Sequence, residues 1–259
     1  MKPVLTWIGG KQRLAKDIIA YLQTETHSLY IEPFLGGGSV GLTLAKYCRE
    51  HDVNMKLILS DINPNLMNLY AQIRDSPEEL MKEVDRIGDA DYHIMRDYYN
   101  KHKRLDVENA ALFLWLNKHC FRGMYKTNKA GLFNTPKGIP RKSIYNAENI
   151  LNVSRELKNP NVELRTCDYR EYKDTALYYL DPPYTNTWDE YCLGSSNDNE
   201  AFNRFIDSLP HGSTVYISNN EKYTPPETAD LMFERKIHDG ACHHYFKQKI
   251  EKLYKVNII

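Results

Sequence analysis

The feature that most limits the possible folds is an alternation of strand-like and helix-like segments in the first third of the chain. Residues 28–34 (SLYIEPF) form a short apolar run that predicts a strand, and residues 39–50 (SVGLTLAKYCRE) have the apolar period of a helix. A second strand, residues 55–61 (MKLILSD), and a second helix, residues 63–75, repeat this order. The alternation predicts an α/β fold with a mostly parallel, doubly wound sheet.

The rest of the chain is predicted to extend this sheet after a long interruption. Asn63 is expected to cap the second helix, with Pro64 at its first position. Residues 76–118 have a helical pattern without strands, and residues 119–145 have no clear period. Five further strands, the last two as an antiparallel pair, are predicted within residues 161–168, 176–181, 213–219, 233–238 and 252–258.

Composition narrows the class of protein only slightly. The 259 residues include 34 basic and 34 acidic side chains, so a net charge of zero indicates no particular partner. Residues 1–14 lack the apolar segment of a signal peptide, and no apolar run reaches membrane-spanning length. An odd, scattered set of cysteines predicts free thiols in the reducing cytoplasm rather than a disulfide framework. These cysteines are Cys48, Cys120, Cys167, Cys192 and Cys242.

A glycine-rich loop, EPFLGGGSVG, joins the first predicted strand to the first helix. Consecutive glycines let the backbone approach a ligand closely, and the helix N-terminus supplies amide donors. Glu32 and Asp61 end adjacent strands, and Asp61 stands 25 positions after Gly36 (61 − 36), the usual spacing for a carboxylate that binds a ribose diol. Two carboxylates would repel a pyrophosphate, so a cofactor with a diol and a cationic amine, such as S-adenosylmethionine (SAM), is predicted.

A third carboxylate, Asp181, ends a later strand and is followed by two prolines and Tyr184. Proline stops the strand, and the simplest reading is a plain strand-to-loop turn. A chemical role is the alternative hypothesis. The Asp181 carboxylate and the Pro182 carbonyl would accept hydrogen bonds from the exocyclic amine of a nucleobase, and Tyr184 would stack on the base. A base in a duplex reaches such a pocket only by flipping out of the stack.

The segment from Asn117 to Ser143 is strongly basic. It contains seven Lys or Arg side chains and no acidic residue. Phe121, Tyr125 and Phe133 alternate with these charges and are expected to intercalate or to support an orphaned base. A solvated basic loop is the simpler interpretation, but together with Asp181 the segment predicts binding of double-stranded DNA.

Several sequence motifs resemble those of one protein family and occur in the same order as in that family. DPPY (residues 181–184), EPFLGGGSV (32–40), TWIGGKQRL (6–14) and the recognition-like stretch 116–138 are similar to the motifs of Dam-type DNA adenine methyltransferases. CDYREY and ISNN resemble further motifs of that family. The resemblance implies a SAM-methyltransferase fold with an antiparallel C-terminal strand. It also implies a cofactor-binding catalytic domain of residues 1–75 and 146–259, and a DNA-recognition insertion of residues 76–145.

The resemblance also implies roles for individual side chains. Asp181, Pro182 and Tyr184 would be catalytic, Asp61 would bind the ribose hydroxyls, and Asp168 with Tyr169 would bind the adenine of SAM. The full predicted cofactor set is Trp7, Lys11, Glu32, Phe34, Gly36, Gly38, Asp61, Asp168, Tyr169 and Asp181. The predicted DNA-binding set is Lys118, Phe121, Arg122, Lys126, Asn128, Asn134, Pro136, Lys137 and Arg141.

Three departures from the family pattern leave the DNA target sequence open. Family members that read GATC have Arg where this chain has Lys126, commonly Asn where it has Arg122, and in some cases Lys where it has Thr6. Lys does not reproduce the two-pronged hydrogen bond of Arg to guanine. The resemblance further implies a monomer of prokaryotic, phage or viral origin with a restriction endonuclease as a partner. Cytosine methylation, or a non-catalytic DNA-binding role, remains the alternative.

A metal site is not expected. Cys242, His243 and His244 are adjacent, which is not the spacing of metal ligands, and no second pair of Cys or His complements them. The final residues, KLYKVNII, are predicted to form a core strand without a chemical role.

Overall fold

The computed structural model describes residues 1–139, 143–184, 199–238 and 248–259. Within these ranges the strands form one seven-stranded sheet with the order β3-β2-β1-β4-β5-β7-β6. The strands are β1 (Leu29–Glu32), β2 (Lys56–Asp61), β3 (Val162–Thr166), β4 (Leu177–Leu180), β5 (Thr214–Asn220), β6 (Asp230–His238) and β7 (Gln248–Asn257).

The first five strands run parallel to one another, and the last two are antiparallel. Register pairs such as Glu32 with Leu59 and Asp61 with Thr166 align the carboxyl ends of neighbouring parallel strands. β7 pairs antiparallel with β5 and with β6. The predicted mostly parallel sheet with an antiparallel C-terminal strand is therefore confirmed.

Helices connect most of the parallel strands. The helices are α1 (Ala15–Leu22), α2 (Gly41–Glu50), α3 (Pro64–Asp75), α4 (Pro77–Ile87), α5 (Tyr92–Lys101), α6 (Val107–His119), α7 (Ala147–Leu157) and α8 (Asn199–Asp207), with short 3-10 turns at Phe121–Gly123 and Tyr169–Glu171. The predicted start of α3 is confirmed, because the Asn63 side chain accepts hydrogen bonds from the N–H groups of Asn65 and Leu66 at 3.0 and 3.2 Å.

The two faces of the sheet are buried separately because successive strand side chains point to opposite sides. Tyr30 and Leu57 face a large core that also contains side chains from α1 to α7. Ile31, Ile58 and Tyr178 face a second core, closed by residues of α8. Helices on both faces explain why these parallel strands are apolar throughout.

The helical interruption packs into the same core as the sheet. α6 is buried from Asn109 to Asn117, which is typical of a helix surrounded by other elements on every side. Leu80 of α4 and Tyr92 of α5 belong to the core cluster that also includes strand residues. The proposed boundaries of the insertion, residues 76–145, stay a prediction.

Two smaller sequence expectations concern thiols and membranes. Cys48, Cys120 and Cys167 are free thiols, and Cys192 and Cys242 lie outside the described residues. In the described part of the chain, no helix combines the length and apolar character needed to cross a membrane.

Candidate active site

Three carboxylates meet at the carboxyl edge of the parallel strands. Glu32 and Asp61 are the last residues of β1 and β2, and Asp181 directly follows β4. Glu32 is 2% exposed, and the negative charges of Asp181 and Asp61 act on it directly. The structure thus brings together the three strand-end acids, at the edge where open α/β sheets bind ligands.

The glycine loop is held in a tight turn between Trp7 and Asp61. Gly36 and Gly38 have φ values of +48° and +68°, which favour glycine. A Cβ atom at Gly36 would lie 2.8 Å from the Trp7 ring. The Gly36 N–H donates to Asp61 Oδ2 at 3.0 Å, and Tyr70 Oη donates to the Gly36 carbonyl at 2.9 Å. These contacts fix the loop that the resemblance assigns to the methionine part of SAM.

Glu32 lies against the first residue of α2, and this approach requires Gly41. A Cβ atom at position 41 would lie 2.5 Å from Glu32 Oε2 and 2.6 Å from Leu59 Cδ2. Burial is the main cause that raises the pKa of Glu32 to about 8, and the charges of Asp181 and Asp61 act in the same direction. Hydrogen bonds from Tyr30 Oη, at 2.7 Å, and from the Gly41 N–H lower that pKa. Glu32 is therefore a buried acid that would gain from a cationic partner.

Asp61 is held mainly by backbone donors. Its pKa is raised to about 6 because the effect of burial outweighs the opposing hydrogen bonds from the N–H groups of Asn63, Gly36 and Ile62. The Asn63 N–H donates to Asp61 Oδ1 at 3.0 Å, and the other oxygen accepts from Gly36. The carboxylate is fixed in direction while its side chain stays partly exposed, as binding a diol requires.

The raised pKa values of Glu32 and Asp61 predict a pH-dependent stability. The folded chain holds these protons more tightly than the unfolded chain, so their stabilisation is complete below about pH 4 and is lost as pH rises through about 6 and about 8. In thermal or urea unfolding without SAM, we expect the free energy of unfolding to fall by on the order of 3 kcal/mol between about pH 5 and pH 8.

The Glu32→Gln variant serves as the matched control, because its side chain has a similar shape and does not titrate. Its stability should vary less with pH than that of the wild type. An equal slope in the two proteins would contradict the assignment to Glu32.

Lys11 is buried beside Asp181. Its Nζ lies 2.8 Å from Asp181 Oδ1 and 2.9 Å from Oδ2, and it donates to the Gly9 carbonyl at 2.6 Å. The same ammonium lies over the Tyr184 ring, 4.9 Å from its centroid. Burial raises the pKa of Asp181 above its usual value, whereas the Lys11 charge and hydrogen bonds from Lys11 and Tyr184 lower it. Lys11 is only 4% exposed, so it is not a surface lysine.

Glu251 is an acidic residue of this site that sequence reasoning missed. It lies near the start of β7, is 4% exposed, and accepts a hydrogen bond from Tyr184 Oη at 2.5 Å. Its Oε2 is 3.8 Å from Lys11 Nζ. Glu251 directly precedes residues 252–259, which were predicted to have no chemical role. The sequence signal that could have pointed to Glu251 was a carboxylate directly before a predicted core strand.

Phe34, Tyr169, Phe202 and Phe205 form an aromatic cluster beside the glycine loop. The ring centroids of Phe34 and Tyr169 are 5.1 Å apart, and those of Tyr169 and Phe205 are 4.9 Å apart. The neighbouring Asp168 caps the turn at Tyr169–Glu171 and is bonded to Arg170 Nε at 2.9 Å, which lowers its pKa. Phe34 and Tyr169, both predicted to bind SAM, are therefore in contact.

The basic segment is anchored by its aromatic side chains, which corrects one expectation. Phe133 is 3% exposed in the core, and Tyr125 is half-buried between Phe133 and Trp7, with ring centroids 5.5 and 6.2 Å away. Asn100 holds the backbone of Phe133 through hydrogen bonds of 2.8 and 2.9 Å. The expectation that Phe133 contacts DNA is wrong, because burial of its ring fixes the segment on the core. Phe121 is 42% exposed.

The predicted DNA-binding side chains lie mostly on the outside of this anchored segment. Asn128 closes a turn, and its Oδ1 accepts from the N–H groups of Ala130 and Leu132 at 3.0 and 3.1 Å. Arg122 has a left-handed backbone, with φ +58°, and its guanidinium lies 5.0 Å from the Phe121 ring centroid. Arg122, Asn128, Asn134, Pro136 and Lys137 are exposed, Lys118 and Lys126 are partly exposed, and Arg141 lies outside the described residues.

Asn117 joins this segment to the N-terminal motif. Its Oδ1 accepts from the Thr6 N–H at 3.0 Å, and its Nδ2 donates to the carbonyls of Thr6 and Gly123 at 2.9 and 3.0 Å. Trp7 and Lys11 follow in the same motif. The basic segment and the N-terminal motif are thus connected through one buried amide.

In the described ranges, no group of three or more His, Cys, Asp or Glu side chains is arranged to hold a metal ion. Cys242, His243 and His244 fall outside those ranges.

The fold and the acidic edge define an α/β protein with a candidate ligand site at the carboxyl ends of its parallel strands, and comparisons with known proteins give its family. Residues 7–251 match the model of the D12 class N6 adenine-specific DNA methyltransferases. The chain is 32% identical over 252 residues to the Type II methyltransferase M.MjaIII of Methanocaldococcus jannaschii, covering 85% of this chain and 84% of that protein. A DNA adenine methylase of Haemophilus influenzae is 29% identical, covering 93% and 84%, respectively.

The chain belongs to the D12 class of N6 adenine-specific DNA methyltransferases. It is an enzyme that uses SAM as the methyl donor, as the resemblance implied. A viral relative, the Type II methyltransferase M.CviBI of Paramecium bursaria Chlorella virus NC1A, is 27% identical over 96% of this chain and 91% of that protein.

Proposed function

We propose that this enzyme methylates the exocyclic N6 amine of an adenine rotated out of duplex DNA, with Asp181, Pro182 and Tyr184 as catalytic residues. The observation that carries the proposal is the half-buried Asp181 carboxylate. Lys11 binds both of its oxygens, and Tyr184 stands next to it. Its place beyond the end of β4 puts it on the same edge as the proposed cofactor acids.

The chemistry follows from the poor nucleophilicity of an aromatic amine, whose lone pair is delocalised into the ring. Hydrogen bonds from the amine to the Asp181 carboxylate and the Pro182 carbonyl would hold it in line with the electrophile and concentrate the lone pair on nitrogen. Lys11 favours the ionised form of Asp181 in spite of burial. Attack precedes loss of the proton, so the mechanism needs no strong general base.

Tyr184 would supply the surface on which the flipped base stacks. Because the Lys11 ammonium already covers one face of the Tyr184 ring, the adenine would stack on the other face. An adenine that is paired within a duplex cannot place its N6 atom beside Asp181 at the carboxyl edge of the sheet. Base flipping is therefore part of the proposal.

SAM fits the residues at the neighbouring strand ends. The turn at Gly36, which only glycine tolerates, leaves room for the cofactor. The buried acid Glu32 would be a partner for the ammonium group of SAM. The fixed carboxylate of Asp61 would accept hydrogen bonds from the ribose hydroxyls. Trp7, Phe34, Gly38, Asp168 and Tyr169 would complete the site. SAM supplies an electrophilic methyl group when it is bound.

The DNA target sequence would be read by the basic segment, with GATC or a related short site as the starting hypothesis. We expect Arg122→Ala or Lys126→Ala to weaken discrimination between sites by about 10- to 100-fold, the cost of one lost base contact. The turnover on the best site should change less. Protection of methylated DNA from restriction enzymes of different specificity measures this discrimination.

Lys101, a basic residue of α5 outside the basic segment, is the matched control. Its replacement with Ala should leave the protection pattern intact. An unchanged pattern in both Arg122→Ala and Lys126→Ala would remove these residues from the recognition set.

Two features of the wider setting are part of the proposal. We infer that the chain acts as a monomer on DNA and, because relatives carry Type II methyltransferase names, that a restriction endonuclease accompanies it. Analytical ultracentrifugation tests the first inference. Cleavage of unmethylated DNA at the same site by an endonuclease from the same source tests the second.

The function itself is tested by transfer of a labelled methyl group from SAM to duplex DNA, followed by nucleoside analysis. N6-methyladenine is the expected product. Methyl on the exocyclic amine of cytosine would keep the mechanism and overturn the choice of base. SAM and DNA binding without any transfer would support the non-catalytic alternative.

A further inference from the structure

We infer that Glu251 is a positioning residue that orients Tyr184 and keeps the Asp181 carboxylate available to the target amine. The inference rests on the proposed function, because it assumes that Asp181 and Tyr184 act on the base. Glu251 lies 67 positions from Tyr184 in the chain, and Lys11 lies 170 positions from Asp181. Tertiary structure alone brings the four side chains together.

The fold explains how an acid on the last strand reaches this edge. β7 runs antiparallel to β5, so the beginning of β7 lies beside the carboxyl end of β5, and Glu251 pairs in register with Asn220. β6 lies on the other side of β7, where Glu251 is the register partner of Arg235 in the antiparallel strand pair. A central position between two strands and 4% exposure hold the carboxylate in one place.

The charges in this cluster leave a specific task for Glu251. Asp181 and Glu251 are two carboxylates that both lie near the Lys11 ammonium. Lys11 is 2.8 Å from Asp181 but 3.8 Å from Glu251, so its ion pair belongs mainly to Asp181. Glu251 is not needed to neutralise Lys11, and its close contact is with the Tyr184 phenol.

The phenol of Tyr184 is close enough to act on both carboxylates. It donates to Glu251 Oε2 at 2.5 Å, and its hydrogen bond also lowers the pKa of Asp181. Without Glu251, the phenol would keep Asp181 as an acceptor. It would then occupy an oxygen that the target amine needs, and the ring would turn with it. Glu251 therefore acts through Tyr184 rather than on the substrate.

The test compares Glu251→Ala, Glu251→Gln, Tyr184→Phe and the Glu251→Ala/Tyr184→Phe double variant in single-turnover methyl transfer. We expect Glu251→Ala to slow transfer by about 30-fold, since misplacement of a reacting group costs up to about 100-fold. SAM affinity should change less than about threefold. Glu251→Gln should stay within about fivefold of the wild-type rate, because its carboxamide oxygen still accepts from the phenol.

The double variant gives the sharpest result. Removing the phenol removes its competition for Asp181, so the double variant should transfer at least as fast as Glu251→Ala alone. A double variant that is slower than Glu251→Ala by the factor that Tyr184→Phe costs the wild type would overturn the inference. So would a Glu251→Ala rate within threefold of the wild type.

Three controls separate the possible failures. Glu234→Ala removes an exposed carboxylate from the adjacent strand, where it forms an ion pair with Lys252, and should leave the transfer rate unchanged. If Glu251→Ala does not fold at the assay temperature, Glu251→Leu replaces it, because Leu fills the volume without an acceptor. Asp181→Ala in the same assay tests the proposed function. Wild-type transfer by that variant would contradict the proposed function, whereas wild-type transfer by Glu251→Ala alone would contradict only the role of Glu251.

Discussion

Replacing Asp181 with Ala is expected to reduce methyl transfer to duplex DNA by about 100- to 1,000-fold. The substitution removes the acceptor that orients the amine, and loss of one preorganised electrostatic partner costs about 100- to 1,000-fold. Lys11 would also lose its closest acidic partner, since Glu251 is 3.8 Å away. Rapid-quench transfer of labelled methyl under single-turnover conditions measures the effect.

Binding and folding must be separated from chemistry in this experiment. SAM affinity of Asp181→Ala, measured by calorimetry, should remain within about 10-fold of the wild type, because Glu32 and Asp61 are intact. Asp174→Ala removes an exposed carboxylate shortly before the same strand and should transfer methyl normally. Wild-type transfer by Asp181→Ala would refute the catalytic assignment.

Replacing Gly41 with Ala is expected to damage both the SAM site and the fold. The new Cβ atom would lie 2.5 Å from Glu32 Oε2 and 2.6 Å from Leu59 Cδ2, so either Glu32 or the start of α2 must move. We expect a loss of about 1 to 3 kcal/mol in the free energy of unfolding, which is typical of overpacking. SAM affinity should fall by about 10- to 100-fold, since a misplaced carboxylate loses a charged hydrogen bond.

Gly131→Ala is the matched control. Position 131 has φ +71°, but a Cβ atom there meets nothing within 4 Å. This variant should lose about 1 kcal/mol from its left-handed backbone while SAM affinity stays unchanged. Titration calorimetry and urea unfolding of both variants give the two quantities. Unaltered SAM affinity in Gly41→Ala would show that Glu32 does not contact the cofactor.

The sequence by itself determined the sheet and three of its acids. Apolar runs alternating with helical periods specify parallel strands, and parallel strands place their carboxyl ends on one edge, so Glu32, Asp61 and Asp181 were predictable from their positions at strand ends. Asn63 and Pro64 fixed the start of α3 through local hydrogen bonding, which depends on neighbours in the chain. These features rest on short-range order.

Only the tertiary structure decided which side chains surround Asp181. Lys11 precedes the first helix and Glu251 stands on the last described strand, yet Lys11 reaches Asp181 and Glu251 reaches Tyr184. Glu251 does so because β7 runs opposite to β5, a reversal that places the start of a strand at the edge where the others end. Phe133 shows the reverse case. An aromatic residue in a basic stretch looks available to DNA in the sequence, but the long-range packing of the segment on α5 and α6 buries it. Burial depends on contacts between distant parts of the chain, which local patterns do not encode.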